Sequence, residues 1–330
     1  MPDISWAVHF KNMWSKWDVG WYGKIAVDGY DKAPFSTAAC KCWGFLPLYP
    51  LLSKGLMWIC NTKMFFPIAA SLSCLFTFSG LWILSHVLKE RIQNINRFLF
   101  LYLVSAGSFY LSIPYSEGLA LLLLACTFYF TQRKNYFSAA FMAGLGAITR
   151  IQLLGLLAIP LIPLLLDSEN RKKALNSLIV IALFSLPTLV HMGYLNSLCG
   201  NPLAFFDMQD AWGNANPYPL EALFVFIRKG FQNPLSDWLH FFIWSLFGVL
   251  LIRNFKKIPL NEIVFCLIVF VISTGTEKFY GASRYVLMLI PLYIALANEE
   301  KWFCNFYIYS SLVIGTLYVA SFTNNYILAI

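Results

Sequence analysis

The stretch FFPIAASLSCLFTFSGLWILSHVL, residues 65–88, contains no Asp, Glu, Lys or Arg. As a helix rising ~1.5 Å per residue, it is long enough to cross the ~30 Å hydrocarbon core of a bilayer. Further apolar runs, separated by polar breaks, fall at 98–113, 118–131, 137–149, 151–166, 175–196, 235–252, 260–274, 285–298 and 303–322. They predict an all-α polytopic membrane protein with about ten hydrophobic helices. Composition agrees. The chain is 59% hydrophobic and 12% charged, where a soluble domain carries roughly 25% charged residues. Several runs are shorter than the ~20 residues of a simple span. The pairs around Pro114 and Arg150 are therefore expected to form deep helical hairpins.

The net charge of +8 does not point to nucleic acid. Basic residues sit in short breaks between apolar runs: Lys89, Arg91 and Arg97; Arg133 and Lys134; Arg171, Lys172 and Lys173; Arg253, Lys256 and Lys257; Lys301. That pattern predicts a cytoplasmic face. Alternation then places residues 1–64, Tyr115 to Glu117, Arg150, a long loop at 197–234 and residues 275–284 on the opposite side. The expected organisation is an outer-face segment over 1–64, followed by a helical bundle over 65–330. For a bacterial source the site would face outward from the plasma (inner) membrane. Residues 1–16 lack the apolar centre of a cleavable signal peptide.

Asp18, Glu117, Arg150, Asp207, Asp210, Glu277, Lys278 and Arg284 all fall on the outer side of this scheme. Polar chemistry gathered at one face suits an enzyme. A transporter more often places ionisable groups near the midplane of its helices. The segment Lys16-Trp17-Asp18-Val19-Gly20-Trp21-Tyr22-Gly23-Lys24-Ile25 stands out within it. In a helix, Trp14, Trp17, Asp18, Trp21, Tyr22 and Ile25 share a face. A carboxylate among aromatic rings suits a sugar site with a general base; equally, Asp18 would serve as a cap for a helix starting at Val19.

Pro114-Tyr115-Ser116-Glu117 reads as a turn in which Ser116 caps the next helix. Glu117 gains from the dipole there and is placed to orient an acceptor or a catalytic partner. Arg150 either snorkels to the interface or clamps a phosphate. Arg284-Tyr285, preceded by Glu277, Lys278 and Tyr280, forms a second basic-aromatic group that either anchors at the interface or joins Arg150 on a phosphate. Asp207, Asp210 and Trp212 read as solvated loop residues.

The eight cysteines show no zinc spacing; Cys40-Lys41-Cys42 is too tight, and Cys74, Cys126, Cys266 and Cys304 lie in apolar runs. There is no Walker loop, no Gly-x-Gly-x-x-Gly, no His-Glu-x-x-His and no Asp-x-Asp pair. ATP-driven transport, metalloproteolysis and soluble nucleotide-sugar chemistry are thereby disfavoured, and no cofactor or metal is expected. The prolines of Phe45-Leu46-Pro47-Leu48-Tyr49-Pro50 are expected to interrupt any helix.

In series, these elements resemble one family. Lys16-Trp17-Asp18 with Trp21-Tyr22, Ile25-Ala26 and Gly29-Tyr30 resembles the opening motif of the PIG-V-like (GPI mannosyltransferase 2-like) branch of the GT-C membrane glycosyltransferases. Phe45 to Pro50 is similar to its Phe-Phe-Pro-x-Tyr-Pro element, and Tyr115-Ser116-Glu117-Gly118-Leu119 to its Tyr-Ser-Glu-Ser-Leu turn. Ala147-Ile148-Thr149-Arg150 is similar to its Ala-Leu-Thr-Arg stretch, and Arg284-Tyr285 to a late Arg-Tyr pair. The elements occur in the family's order.

The resemblance implies a GT-C-like bundle that moves a sugar, typically mannose, from a polyprenyl-phosphate donor to a glycan, lipid or protein acceptor at the non-cytoplasmic face, with inversion. It assigns Asp18 as the base. Arg150 and Arg284 become phosphate partners; Trp17, Trp21 and Tyr22, with Tyr115 and Tyr285, shape the substrate site; Glu117 orients substrate. The implied partners are donor, acceptor and membrane lipids. A transporter or flippase of lipid-linked sugars is the alternative, followed by a non-catalytic subunit of a glycan assembly complex. Three features depart from the family pattern. Sixteen residues, without a spanning run, precede Trp17; Ile151 replaces the usual Pro; and Gly118 lacks the hydroxyl of the family's Ser.

Overall fold

The computed structural model describes residues 8, 12–167, 172–212, 220–230, 234–275 and 281–324. The apolar runs predicted from the sequence are mostly helical, the run at 98–113 being helical only to Leu103 and again as a 3₁₀ turn at Ser108–Leu111, and no strand occurs among the described residues. Among the described residues, four helices are long and apolar enough to cross a membrane: Phe65–Val87, Lys173–Cys199, Leu235–Asn254 and Lys301–Thr323. Each exposes large apolar side chains on its outer surface, including Phe78, Trp82, Val190, Ile252 and Val313. Water does not tolerate so much contiguous apolar surface, and lipid does. The chain is a helical membrane protein.

The shorter helices lie inside. Ile290–Ala297 has every residue buried, the pattern of a helix that is apolar all round. Its polar tip is satisfied internally, where the Tyr293 hydroxyl meets Ser105 Oγ at 2.8 Å. Local signals set several boundaries. Asn94 and Asn135 accept hydrogen bonds from the backbone N–H groups of Arg97 and Ser138, starting the helices Ile95–Leu103 and Tyr136–Ala147. Gly200, at φ 76°, ends Lys173–Cys199.

Two expectations are corrected. Pro47 and Pro50 do not interrupt a helix; they begin one, Leu48–Ile59. Proline is tolerated in a first turn, where the N–H has no intrahelical partner in any case. The aromatic stripe from Trp14 is also broken. Trp17 has φ 56°, and the helix begins at Asp18 and runs to Asp28. Trp14 and Trp17 thus stand outside the face shared by Trp21, Tyr22 and Ile25. The 197–234 region is only partly described; within it, Glu221–Lys229 docks on the end of Leu260–Ser273, where the Ala222 N–H donates to the Thr274 carbonyl at 3.1 Å.

The turn after Pro114 is not on a surface. Phe65–Val87 packs along Glu117–Gln132. Part-way down it, Ser73 Oγ donates to the Tyr115 carbonyl at 3.0 Å and Thr77 Oγ1 to the Leu111 carbonyl at 2.8 Å. Ser73 lies roughly 12 Å from the start of its helix, at ~1.5 Å per residue. Residues 104–116 are thus a non-helical and 3₁₀ segment sunk into the bundle; the flanking helices do not pair as a hairpin, since Ile95–Leu103 packs on Ile290–Ala297 and Glu117–Gln132 on Phe65–Val87. Irregular backbone at such depth persists only where protein covers it. Ser105, Tyr110, Tyr115 and Ser116 are all buried.

Candidate functional site

Four segments meet around this sunken turn. Asp18 opens Asp18–Asp28, Glu117 opens Glu117–Gln132, Arg150 follows the end of Tyr136–Ala147, and Arg284 sits in the short helix Ala282–Tyr285. Both carboxylates lie at helix N-termini, and Arg150 lies beyond a C-terminus. Both carboxylates have the sign that the local backbone dipole favours.

Arg284 joins the two acids. Its Nη2 donates to Asp18 Oδ2 at 2.9 Å, and its Nε to Glu117 Oε1 at 2.7 Å. Arg150 Nη1 reaches the same Glu117 oxygen at 2.5 Å and lies 3.4 Å from Ser116 Oγ. Glu117 is fully buried, with Arg150 7% and Arg284 8% exposed. The Asp18 side chain keeps 23% exposure. The group therefore carries two positive and two negative charges and opens at Asp18. Glu117 Oε2 and Arg150 Nε, both buried, have no hydrogen-bond partner. Orphaned polar atoms in a low-dielectric interior are costly, and they leave the site with unused donor and acceptor capacity.

Aromatic rings fix the guanidinium of Arg284. Its carbon lies 4.9 Å from the Tyr110 ring centre and 4.8 Å from that of Tyr115, within cation–π range. The Tyr115 hydroxyl accepts the Asp18 N–H at 3.3 Å and donates to the Lys16 carbonyl at 3.4 Å. That pair of bonds holds the strained Trp17 turn and aims the helix that carries Asp18. Close backbone approach makes the meeting possible. A Cβ on Gly107 would stand 2.3 Å from the Ser283 carbonyl oxygen, beside Arg284. A Cβ on Gly118 would stand 2.5 Å from the Ser73 oxygen. The missing hydroxyl at 118 thus has a packing cause: Phe65–Val87 leaves no room for a side chain.

The remaining expected residues divide. Trp17 is 38% exposed beside Asp18. Trp21 stacks on Phe45, with ring centres 5.8 Å apart. Tyr22 is buried among Phe45, Tyr49 and Tyr115, and its hydroxyl lies 3.1 Å from Ser116 Oγ. Burial and the nearby Asp18 charge push the Tyr22 phenol up to about 12, which keeps it protonated. Its place is to brace the Ser116 turn. Tyr285 lies beneath Arg150, whose guanidinium carbon is 5.7 Å from the ring centre. Arg150 does not snorkel; it is turned inward onto Glu117. Asp207 accepts from Asn201 Nδ2 at 2.7 Å, apart from this group. Glu277, Lys278 and Tyr280, and the side chain of Trp212, lie outside the described residues.

Sequence reasoning missed Tyr110 and Gly107, whose roles depend on contacts with residues far along the chain. It also missed a polar knot beside the helix Asp18–Asp28. Asp31 accepts from Lys24 Nζ at 2.5 Å, from the Cys42 N–H at 3.1 Å and from Cys42 Sγ at 3.0 Å. Burial opposes ionisation of Asp31, but the Lys24 and Cys42 hydrogen bonds outweigh it and lower the carboxyl to about 2. The eight cysteines are free thiols. No group of three or more His, Cys, Asp or Glu side chains gathers among the described residues.

No protein-family model, curated protein or solved structure matches the chain.

Proposed function

We propose that the protein is a membrane glycosyltransferase. It moves a sugar, mannose by the sequence resemblance, from a polyprenyl-phosphate donor to an acceptor at the non-cytoplasmic face, with inversion. The observation that carries this reading is the joining of Asp18 and Glu117 by Arg284, with Arg150 on the same Glu117 oxygen. The resemblance selects these residues from four distant parts of the chain, and they form one contiguous group.

In this mechanism an acceptor hydroxyl attacks the anomeric carbon as its bond to the phosphate oxygen breaks. Asp18, the acid with solvent access, takes the hydroxyl proton. The leaving lipid phosphate gains one negative charge, which the guanidiniums of Arg150 and Arg284 stabilise in a site of low dielectric. Glu117 holds both arginines in place. Trp17, the exposed ring beside Asp18, offers a face for the sugar.

Asp18→Asn tests the assignment, since it keeps the shape and removes the base. Transfer in membranes should fall about 10²–10⁴-fold, with the protein still inserted and folded. Near-normal turnover would remove Asp18 from the mechanism.

A further inference from the structure

Resting on that reading, we infer that Asp18 and the lipid phosphate compete for one donor, Nη2 of Arg284, and that Arg284 thereby couples the base to the leaving group. Three observations lead here. Nη2 donates to Asp18 at 2.9 Å, while Nε, with its single N–H, is spent on Glu117 at 2.7 Å. The Nε contact and the rings of Tyr110 and Tyr115 fix the plane of the guanidinium, so Nη2 changes partner with little movement. Of the two acids that Arg284 touches, Asp18 is the exposed one, so an entering anion meets this contact and not the buried Glu117.

Charge bookkeeping gives the coupling its direction. At rest the four side chains sum to zero. A phosphodiester donor brings one negative charge. As the acceptor oxygen bonds to the anomeric carbon and the carbon–phosphate-oxygen bond breaks, Asp18 takes the acceptor proton and becomes neutral. The phosphate keeps the bonding electron pair and becomes a dianion. The negative charge lost at Asp18 therefore reappears on the phosphate, and Arg284 faces both positions. Its guanidinium loses one anionic partner as it gains the other. In the resting state the same contact holds Asp18 in an ion pair until a donor phosphate draws Nη2 away.

The test is anion binding without turnover. Full-length protein in detergent is titrated with dodecyl phosphate, a lipid monophosphate, and the dissociation constant is read by calorimetry and by tryptophan fluorescence. Asp18→Asn should bind about tenfold more tightly than the natural chain, because the competing carboxylate is gone. Asp18→Ala should do the same, which guards against misfolding of a single variant. Arg284→Gln should weaken binding at least about tenfold. A parallel titration with inorganic phosphate tells a general anion site from one that needs the lipid chain. Tightening with both ligands assigns the competition to the phosphate group, and tightening with dodecyl phosphate alone assigns it to a lipid-linked anion. Equal or weaker binding of both ligands by both Asp18 variants overturns the inference. If that happens while the natural chain still transfers sugar, the proposed function stands and only the coupling fails. If the variants tighten but no sugar is transferred, the competition stands and the proposed function fails.

Discussion

Among the places where arginine meets glutamate, two are built differently. Arg91 and Glu262 form a one-to-one fork, Nη1 to Oε1 at 2.6 Å and Nη2 to Oε2 at 2.8 Å. Both carboxylate oxygens are used, and Arg91 keeps 31% exposure. At Glu117 two guanidiniums crowd onto one oxygen, the other oxygen has no partner, and all three side chains are buried. In the first arrangement both carboxylate oxygens are satisfied, and the guanidinium reaches water. The second retains unmet donors and acceptors next to a part-exposed acid. A fold that needed only to tie helices together has the better solution at Arg91. Poorer satisfaction at Glu117 fits a place that binds something.

Substitutions separate the two. Glu117→Gln should be the most damaging, because Arg150 and Arg284 would then share too little negative charge in a buried site. A loss of about 3–5 kcal/mol is expected, read as a drop in the unfolding midpoint in detergent. Gly118→Ser comes next. It would introduce the Ser of the turn that this sequence resembles, yet its Cβ meets the Ser73 backbone, so about 1–3 kcal/mol should be lost and the Glu117 end of the helix displaced. Asp31→Asn should cost about 1–2 kcal/mol at neutral pH, discounted for the solvent exposure of Lys24. Because the Asp31 carboxyl is lowered to about 2 when folded, its contribution is fully present above the ordinary carboxyl value near ~4. It is lost as the pH falls from there through about 2. The difference between Asp31→Asn and the natural chain should therefore vanish over that window in pH-dependent melts. Glu262→Gln should be mildest, about 1 kcal/mol, since Arg91 can turn to water. A larger loss at Glu262 than at Glu117 would reverse the comparison.

The sequence foretold the helices better than their meeting points. Runs such as 118–131 and 175–196 correspond to Glu117–Gln132 and Lys173–Cys199, because apolar length and flanking charge are local properties. The break at Trp17 was legible only as the alternative of a helix starting at Val19, since periodicity carries a helix back to Trp14; Asp18 is the first helical residue and not its cap, and a hydrogen bond from Tyr115 to the Lys16 carbonyl holds the turn. Pro47 and Pro50 misled because proline ends one helix and starts another with the same chemistry. Motif order named Asp18, Glu117, Arg150 and Arg284 as residues of one site. It did not show that Arg284 would lie on Asp18, a contact between residues 266 positions apart. Nor did it reveal Tyr110 and Gly107, which act through close approach to Arg284 and Ser283.

The most direct test of the account is product analysis. Purified protein is incubated with labelled polyprenyl-phosphate mannose and membrane extract, and the labelled species are separated and hydrolysed. The account predicts a new glycosidic bond of inverted anomeric configuration and release of the lipid phosphate. Label that crosses a sealed membrane still attached to its lipid phosphate, with no new bond formed, would contradict it.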